Sequence, residues 1–384
     1  MKSHWTTDQI SAAASGGFSR RHFLGGATAL TGGALLAPLF PSLAKAAGGE
    51  LSVMAWEGFT METELKEWLA SEGITLKASI IGTQDDVNAR LVGSTPVPTD
   101  VSEFNQGYNH FYGDELAITT PLDEAKLPNY NANDTFAGFY KAETWFWDGK
   151  LHGVPWIWGL NSLVFNPAVV PEPKSYTDLL KPEYKDKVAF GDDTLATWPM
   201  IARVAGYGDK FPNLTTDELD DAFAQMDPYR AQCRVFAASN GDAINLLVNG
   251  EIGALFCGWS GIPNETTKQG VETKYVIPTE GAAMWCDAWF IPTAANNPDL
   301  AHAYINATLG AQAQADVCKN VVGGSVQKTA LDHMDAATRA LFSYDDLDKV
   351  FASSPLQGIP PRKSDAYATY DQWVAKWEEF KLGF

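Results

Sequence analysis

The run from Leu51 to Phe104 constrains the fold most, because segments of strand length and segments of helical period alternate within it. Leu51-Ser-Val-Met-Ala-Trp56 predicts a largely buried first strand. After a short turn, Met61 to Ala70 puts Leu65, Trp68 and Leu69 at helical spacing, and Gly73 ends that helix. Ile74 to Ile81 alternates as a second strand and Asp85 to Val92 reads as a helix. Pro96 and Pro98 then break the chain before a third strand, Asp100 to Phe104. Strand, helix, strand, helix, strand is the order of a parallel sheet with crossover helices. Such sheets bind ligands beyond the carboxyl ends of their strands, which draws attention to Trp56-Glu57-Gly58-Phe59 and to Asn105.

The rest of the chain continues the mixture. Asp148-Gly149-Lys150 predicts a hairpin turn within a dense aromatic patch, and Gly153-Val-Pro155 starts an extended segment. Further strands are predicted at Asn161 to Asn166, Val188 to Phe190 and Glu251 to Cys257. Helices are predicted at Leu195 to Ala205, Thr216 to Met226 and Gly241 to Asn249, and after Pro292 at Pro298 to Leu309, Ala311 to Val317, Asp335 to Phe342 and Asp365 to Phe380. No repeat and no flexible linker is visible. Two α/β domains joined by short extended crossovers suit a hinge.

Residues 1–46 read as a targeting segment. Ser19-Arg20-Arg21-His22-Phe23-Leu24 carries the twin-arginine export pattern, a weakly apolar stretch follows, and Ala44-Lys45-Ala46 has the small-x-small form of a cleavage site. The expectation is a soluble protein of a bacterial periplasm. Without that segment the formal charge falls from −19 to −22, with 24 basic and 46 acidic residues. Such a surface disfavours nucleic acid and anionic membrane as partners and attracts cations. The four cysteines, Cys233, Cys257, Cys286 and Cys318, form no C-x-x-C pair. An oxidising compartment permits disulfides, and Cys257–Cys286 is the preferred pairing because both end apolar, strand-like runs.

Gly281-Ala-Ala-Met-Trp-Cys-Asp-Ala-Trp-Phe-Ile-Pro292 holds one acid in an apolar run. In a strand, Trp285, Asp287 and Trp289 share a face. A lone carboxylate among aromatic rings suits an organic cation, the rings adding roughly 0.5–2 kcal/mol each by cation–π attraction. The competing reading is a core strand whose acid is capped by backbone N–H groups. Catalytic readings find less support. His110, His152, His302 and His333 lack metal-ligand spacing, and Gly258-Trp-Ser260-Gly-Ile262 departs from a nucleophile elbow at its last position. Asp192-Asp193 with Asp287 leaves an acid-pair hydrolase as an alternative.

The order of segments resembles the periplasmic spermidine/putrescine-binding components of ABC importers, over residues 50 to 380. The resemblance rests on the strand ending in Trp56, Val154-Pro-Trp-Ile-Trp-Gly159, Leu179-Leu-Lys-Pro-Glu-Tyr-Lys185, Asp192-Asp193, Gly250-Glu-Ile-Gly253 and Trp285-Cys-Asp287 with Ile291-Pro292. It implies a type II periplasmic binding fold of two α/β lobes, closing by a hinge over a ligand. Lobe 1 is expected at 47–157 and 290–350, lobe 2 at 158–289, and a tail at 351–384 whose final helix packs across the lobes. It also implies a monomer without cofactor or catalysis, delivering a small amine to a membrane permease. Carried over by position, Asp287 meets an ammonium, Trp285 covers the ligand's methylene chain and Asp193 is a second acid. Trp56 and Phe59 form an aromatic pair, and Gln357 is a polar contact in the tail. Asn105 lies at a strand end and Glu57 beside the ligand-facing turn. Four positions depart from the family pattern: Phe59 replaces a tyrosine and loses its hydroxyl, Ala196 replaces an acid, Cys257 replaces a tryptophan with Trp259 as its substitute, and Gly323-Gly324 lacks an aromatic neighbour. These losses disfavour a long polyamine charged at both ends and favour putrescine, a monoamine, a guanidino compound or a zwitterion. A sugar- or iron-binding relative of the same fold is a further alternative.

Overall fold

A computed structural model describes residues 48–56, 58–81, 84–93 and 95–383. The expected signal segment at 1–46 and Glu57 lie outside the described residues. The strands are β1 (Glu50–Trp56), β2 (Thr75–Ile81), β3 (Val101–Asn105), β4 (Thr119–Thr120), β5 (Phe146–Trp147), β6 (Lys150–Leu151), β7 (Val154–Phe165), β8 (Val188–Gly191), β9 (Cys233–Ala237), β10 (Ala254–Trp259), β11 (Lys274–Val276), β12 (Ala283–Pro292) and β13 (Gly324–Ser325). The principal sheet runs β2-β1-β3-β12-β7-β10-β8-β9.

The order of that sheet explains the molecule. At one end β1 lies parallel to β2 and β3, and at the other β8 lies parallel to β10 and β9. Between them β12 and β7 run antiparallel to each other and to their outer neighbours. Helices α1 (Lys66–Glu72) and α2 (Gln84–Val92) cross between strands of the first parallel group, and α3 (Thr194–Val204), α4 (Thr216–Arg230) and α5 (Asn240–Val248) follow those of the second. Each parallel group thereby becomes covered by helices, as its apolar strands require. At about 3.3 Å per residue, the 12 residues of β7 reach roughly 40 Å, enough to serve both groups.

The apolar cores divide along these two shared strands. Val154, Trp156, Ile157 and Trp158 of β7 and Met284 to Ile291 of β12 belong to a first core with β1 and β3. Leu163, Phe165 and Ala283 belong to a second core, and Val164 to a third on the opposite face of the same sheet region. The final helix, Tyr370–Leu382, seats Trp373, Trp377 and Phe380 in the second core. Its first residue reaches toward the other core, the Tyr370 hydroxyl lying 3.4 Å from that of Tyr108.

Several local expectations meet a physical correction. The extended segment at Pro155 and the strand at Asn161 are one strand. Pro155 lacks an N–H, and the bulge in β7 beside it, where Trp156 is the extra residue between the partners of Asp287 and Ala288, accommodates it. The helix expected from Asp365 begins at Tyr370, where Thr369 and Gln372 form a capping box. The helix expected over 335–342 is confined to Ala336–Arg339. The hairpin holds: Asp148 and Gly149 both have positive φ, 52° and 70°, as a two-residue primed turn demands.

The expected Cys257–Cys286 bridge is absent. All four cysteines are free and buried, with Cys257 in the second core and Cys286 in the first. The Cys257 thiol donates to the Ala196 carbonyl at 3.2 Å instead. Unreduced protein, once denatured, should therefore titrate four thiols, and a reductant should leave the unfolding midpoint unchanged. A midpoint that falls on reduction would restore the disulfide.

Candidate functional site

The site is built where β3, β12 and β7 lie side by side. Asp287 stands opposite Asn105 on β3 and Ile157 on β7. The Asn105 side-chain amide donates to Asp287 Oδ1 at 3.2 Å, while its own Oδ1 accepts from the Gly107 N–H at 3.2 Å. That second bond caps the turn at Gln106–Tyr108. Gln106 in turn grips the β12 backbone, accepting from Cys286 N at 2.8 Å and donating to the Met284 carbonyl at 3.0 Å. The strand carrying Asp287 is thus held by two side chains from the end of β3.

Asp287 is only 4% exposed. Burial pushes its pKa up to about 7, the Asn105 hydrogen bond opposes this, and repulsion from Asp193 adds to it. Sequence reasoning named Asp287 and Asn105 and missed a third residue beside them. Glu103, two positions before Asn105, lies on the same face of β3. It is fully buried, accepting from Trp56 N at 2.6 Å and from Trp156 Nε1 at 3.3 Å. Its pKa is raised well above the usual carboxylate range by burial and then by Asp287, against the pull of those two donors.

Aromatic rings cover these acids. Trp156 stacks on Trp289 at 4.7 Å, and Phe59 meets Trp156 edge-on at 5.3 Å. Phe59 also lies 6.3 Å from Trp285, whose ring occupies the space above Gly159, its partner across β7 and β12. Trp56, Phe59 and Trp285 remain half-buried, so this wall keeps an open edge.

Trp259, Asp193 and Gln357 stand differently. Trp259 pairs with Asn161 on β7, two residues from the partner of Trp285, but its ring folds back over Gly261. Asp193 caps α3, accepting from Leu195 N at 3.0 Å. Its carboxylate is open to solvent, yet protein crowds the crevice around it. That desolvation pushes its pKa up, against hydrogen bonds from Leu195 and Ala196. Its neighbour Asp192 is structural, accepting from Trp377 Nε1 at 2.7 Å and pairing with Lys381 at 3.0 Å. Gln357 donates to the carbonyls of Gly208 and Phe211 at 3.0 and 3.2 Å, which takes up its amide nitrogen. It lines a crevice with Gln106, Trp198 and Met284. Among the described residues no group of three or more His, Cys, Asp or Glu is placed to hold a metal.

Comparison with known proteins gives a consistent set of relatives. The family pattern described as bacterial extracellular solute-binding protein matches residues 65–342. The spermidine/putrescine-binding periplasmic protein of Escherichia coli (strain K12) is 31% identical over 219 residues, 55% of this chain and 58% of that protein. The match thus spans little more than half the length of that relative. The putrescine-binding periplasmic protein PotF of the same organism is 27% identical over 333 residues, 81% of this chain and 86% of that protein. Among solved structures, the spermidine/putrescine ABC transporter substrate-binding protein PotD from Streptococcus pneumoniae superposes with a TM-score of 0.70. Its identity is 16%, and the match covers 87% of this chain and 98% of that one, which shows a shared fold.

Proposed function

This chain belongs to the bacterial extracellular solute-binding protein family and has the type II periplasmic binding fold; from that premise we propose that it captures a small amine between two lobes and delivers it to an ABC importer. The observation that carries this reading is Asp287, a buried carboxylate among tryptophans whose side chain, among the described residues, accepts from the neutral Asn105 alone. A buried anion without a countercharge is costly. A ligand ammonium supplies the missing charge, and the Trp285, Phe59 and Trp56 wall suits its alkyl or methyl groups.

The lobes of this reading follow the cores, with their boundary near residue 160 on β7 and between Ala283 and Met284 on β12 rather than at 289–290. Closure about these two strands brings Asp193, at the start of α3, toward Asp287. The protein acts in the periplasm after twin-arginine export, as a monomer, and without catalysis. Its partner is a membrane permease. Putrescine, a monoamine, a guanidino compound and a zwitterion all satisfy a site with one well-formed acid pocket.

A thermal-shift screen over polyamines, betaines, amino acids, sugars and sulfonates tests the reading. An amine at one hundred times its dissociation constant should stabilise the folded state by about 2.7 kcal/mol. A shift produced by sugars or sulfonates alone would overturn it.

A further inference from the structure

Glu103 has no place in the reading above, yet it is the most completely enclosed acid beside the site. Both of its oxygens are used, one on the β1 backbone at Trp56 and one on the indole of Trp156 in β7. A single side chain from β3 thereby joins the strand-end turn to the crossing strand, and these are the two elements that carry the aromatic wall. Trp289, paired directly with Glu103 across β3 and β12, stacks on the same Trp156 ring. One step along the same ladder stands the Asn105–Asp287 pair. Two carboxyl groups therefore occupy one buried face of adjacent strands, and the hydrogen bonds they accept come from neutral donors.

The ionisable groups around this pair are acidic or weakly acidic on every side. Asp287 and the Cys286 thiol come from β12, and Asp193, just before α3, repels Asp287. Tyr304, on the helix Pro298–Thr308, feels Glu103 and Glu64 and donates its hydroxyl to the Thr60 carbonyl at 2.7 Å. Among the described residues no Lys, Arg or His acts on either carboxyl.

We infer that Glu103 is a specificity-determining residue of the amine site, which positions Trp56 and Trp156 and, as a second buried acid beside Asp287, makes capture of a cation release a proton. The inference rests on the amine reading of Asp287. Two neighbouring buried carboxyls without a cation retain one proton between them, because burial and their mutual repulsion oppose the second ionisation. The incoming ammonium keeps its own protons. One carboxyl O–H bond breaks, its electron pair stays on oxygen, and the proton leaves to solvent. The charge of the enclosed site is the same before and after. Neutral ligands cannot drive this exchange, so the acid pair selects for positive charge without Glu103 touching the ligand. Affinity for a cation should then weaken by up to about tenfold for each pH unit below the titration of the pair.

Isothermal titration of the mature protein with putrescine, in two buffers of different ionisation enthalpy from about pH 6 to 8, reads the proton directly. The expected result is release approaching about one proton per putrescine at the acid end of that range, declining as pH rises. Glu103→Gln should move the pH range of the release downward, because Asp287 keeps its burial but loses its neighbouring acid, and the second linked step should vanish. Trp156→Phe removes the indole donor but keeps both acids, so it should weaken binding with the proton count preserved. A merely structural role for Glu103 predicts that these two variants behave alike. Should Glu103→Gln fail to fold, carboxyl-carbon NMR of the unsubstituted protein replaces it, with linked titration steps expected for Glu103 and Asp287. Putrescine heat without proton release, or independent titrations, would overturn this inference alone. Absence of heat with putrescine, betaine and γ-aminobutyrate would instead overturn the amine reading, while the NMR titration still reports on the acid pair.

Discussion

Asp287→Asn should abolish the amine-induced thermal shift and leave a folded protein that is more stable than the parent at alkaline pH. Asparagine keeps the shape and one acceptor for the Asn105 amide, so the strand contacts survive. What it removes is the buried charge that meets the ammonium in this reading. Truncating one partner of a buried, hydrogen-bonded charge pair typically costs about 2–5 kcal/mol, roughly thirtyfold to several thousandfold in affinity. The stability arm has the opposite sign. The pKa of Asp287 is raised to about 7 in the folded state. Between about pH 4 and 7 the folded chain therefore holds a proton that the unfolded chain has lost, and stability falls as pH rises. Above that window the penalty is complete, a few kcal/mol in scale. The variant lacks this penalty, so the two midpoints should agree near pH 4 and diverge in the variant's favour toward pH 8. Melting curves at four or five pH values, with and without ligand, decide both arms. An amine shift that survives in the variant would remove Asp287 from the site. A folded state lost at all pH values would make it a core residue.

Much of the frame was legible because it depends on local signals. The alternation from Leu51 to Phe104 and the helix expected from Leu195 are read from local runs of residues, and the structure has them as β1 to β3 with their helices and as α3. Features set by distant partners were not legible. The extended segment at Pro155 and the strand at Asn161 read separately, and only pairing with β12 joins them as β7, a bulge accepting the proline and the Trp285 ring filling the space above Gly159. Cys233–Ala237 was missed as a strand, being a short edge with a partly exposed middle. The site divides in the same way. Asp287 stands out as one acid in an apolar run, whereas Glu103, between Ser102 and Phe104, reads as the solvent side of an alternating strand. Its burial follows from the Trp156 and Trp289 rings, which arrive from positions more than fifty residues away. The partners of Gln357 were not legible either, because the carbonyls its amide donates to belong to a loop whose position no local pattern encodes.

Gly159→Ala tests whether the wall of the site, and not only its charge, is built by the crossing strands. A Cβ at this position would lie 2.6 Å from Trp285 Cε2 and 2.8 Å from its Nε1, distances that no packed methyl tolerates. The β7 backbone is fixed on both sides by its ladders, so the indole must move. Trp285 is half-buried, and the open edge of the cleft offers the ring a way out. The stability loss should accordingly fall near the low end of the roughly 1–3 kcal/mol typical of overpacking. The effect on ligand should be larger relative to that modest cost. A displaced indole leaves Phe59 and the flank of Asp287, forfeiting a cation–π and packing contribution of about 1–2 kcal/mol, roughly tenfold in affinity. Trp285→Ala should weaken binding by a similar factor. Because both changes act through one ring, the double variant should bind amine no worse than either single one while regaining stability over Gly159→Ala. Independent losses that add in the double variant would show that Trp285 does not act from the place above Gly159. Unchanged affinity in Gly159→Ala would show that the ligand never reaches that ring.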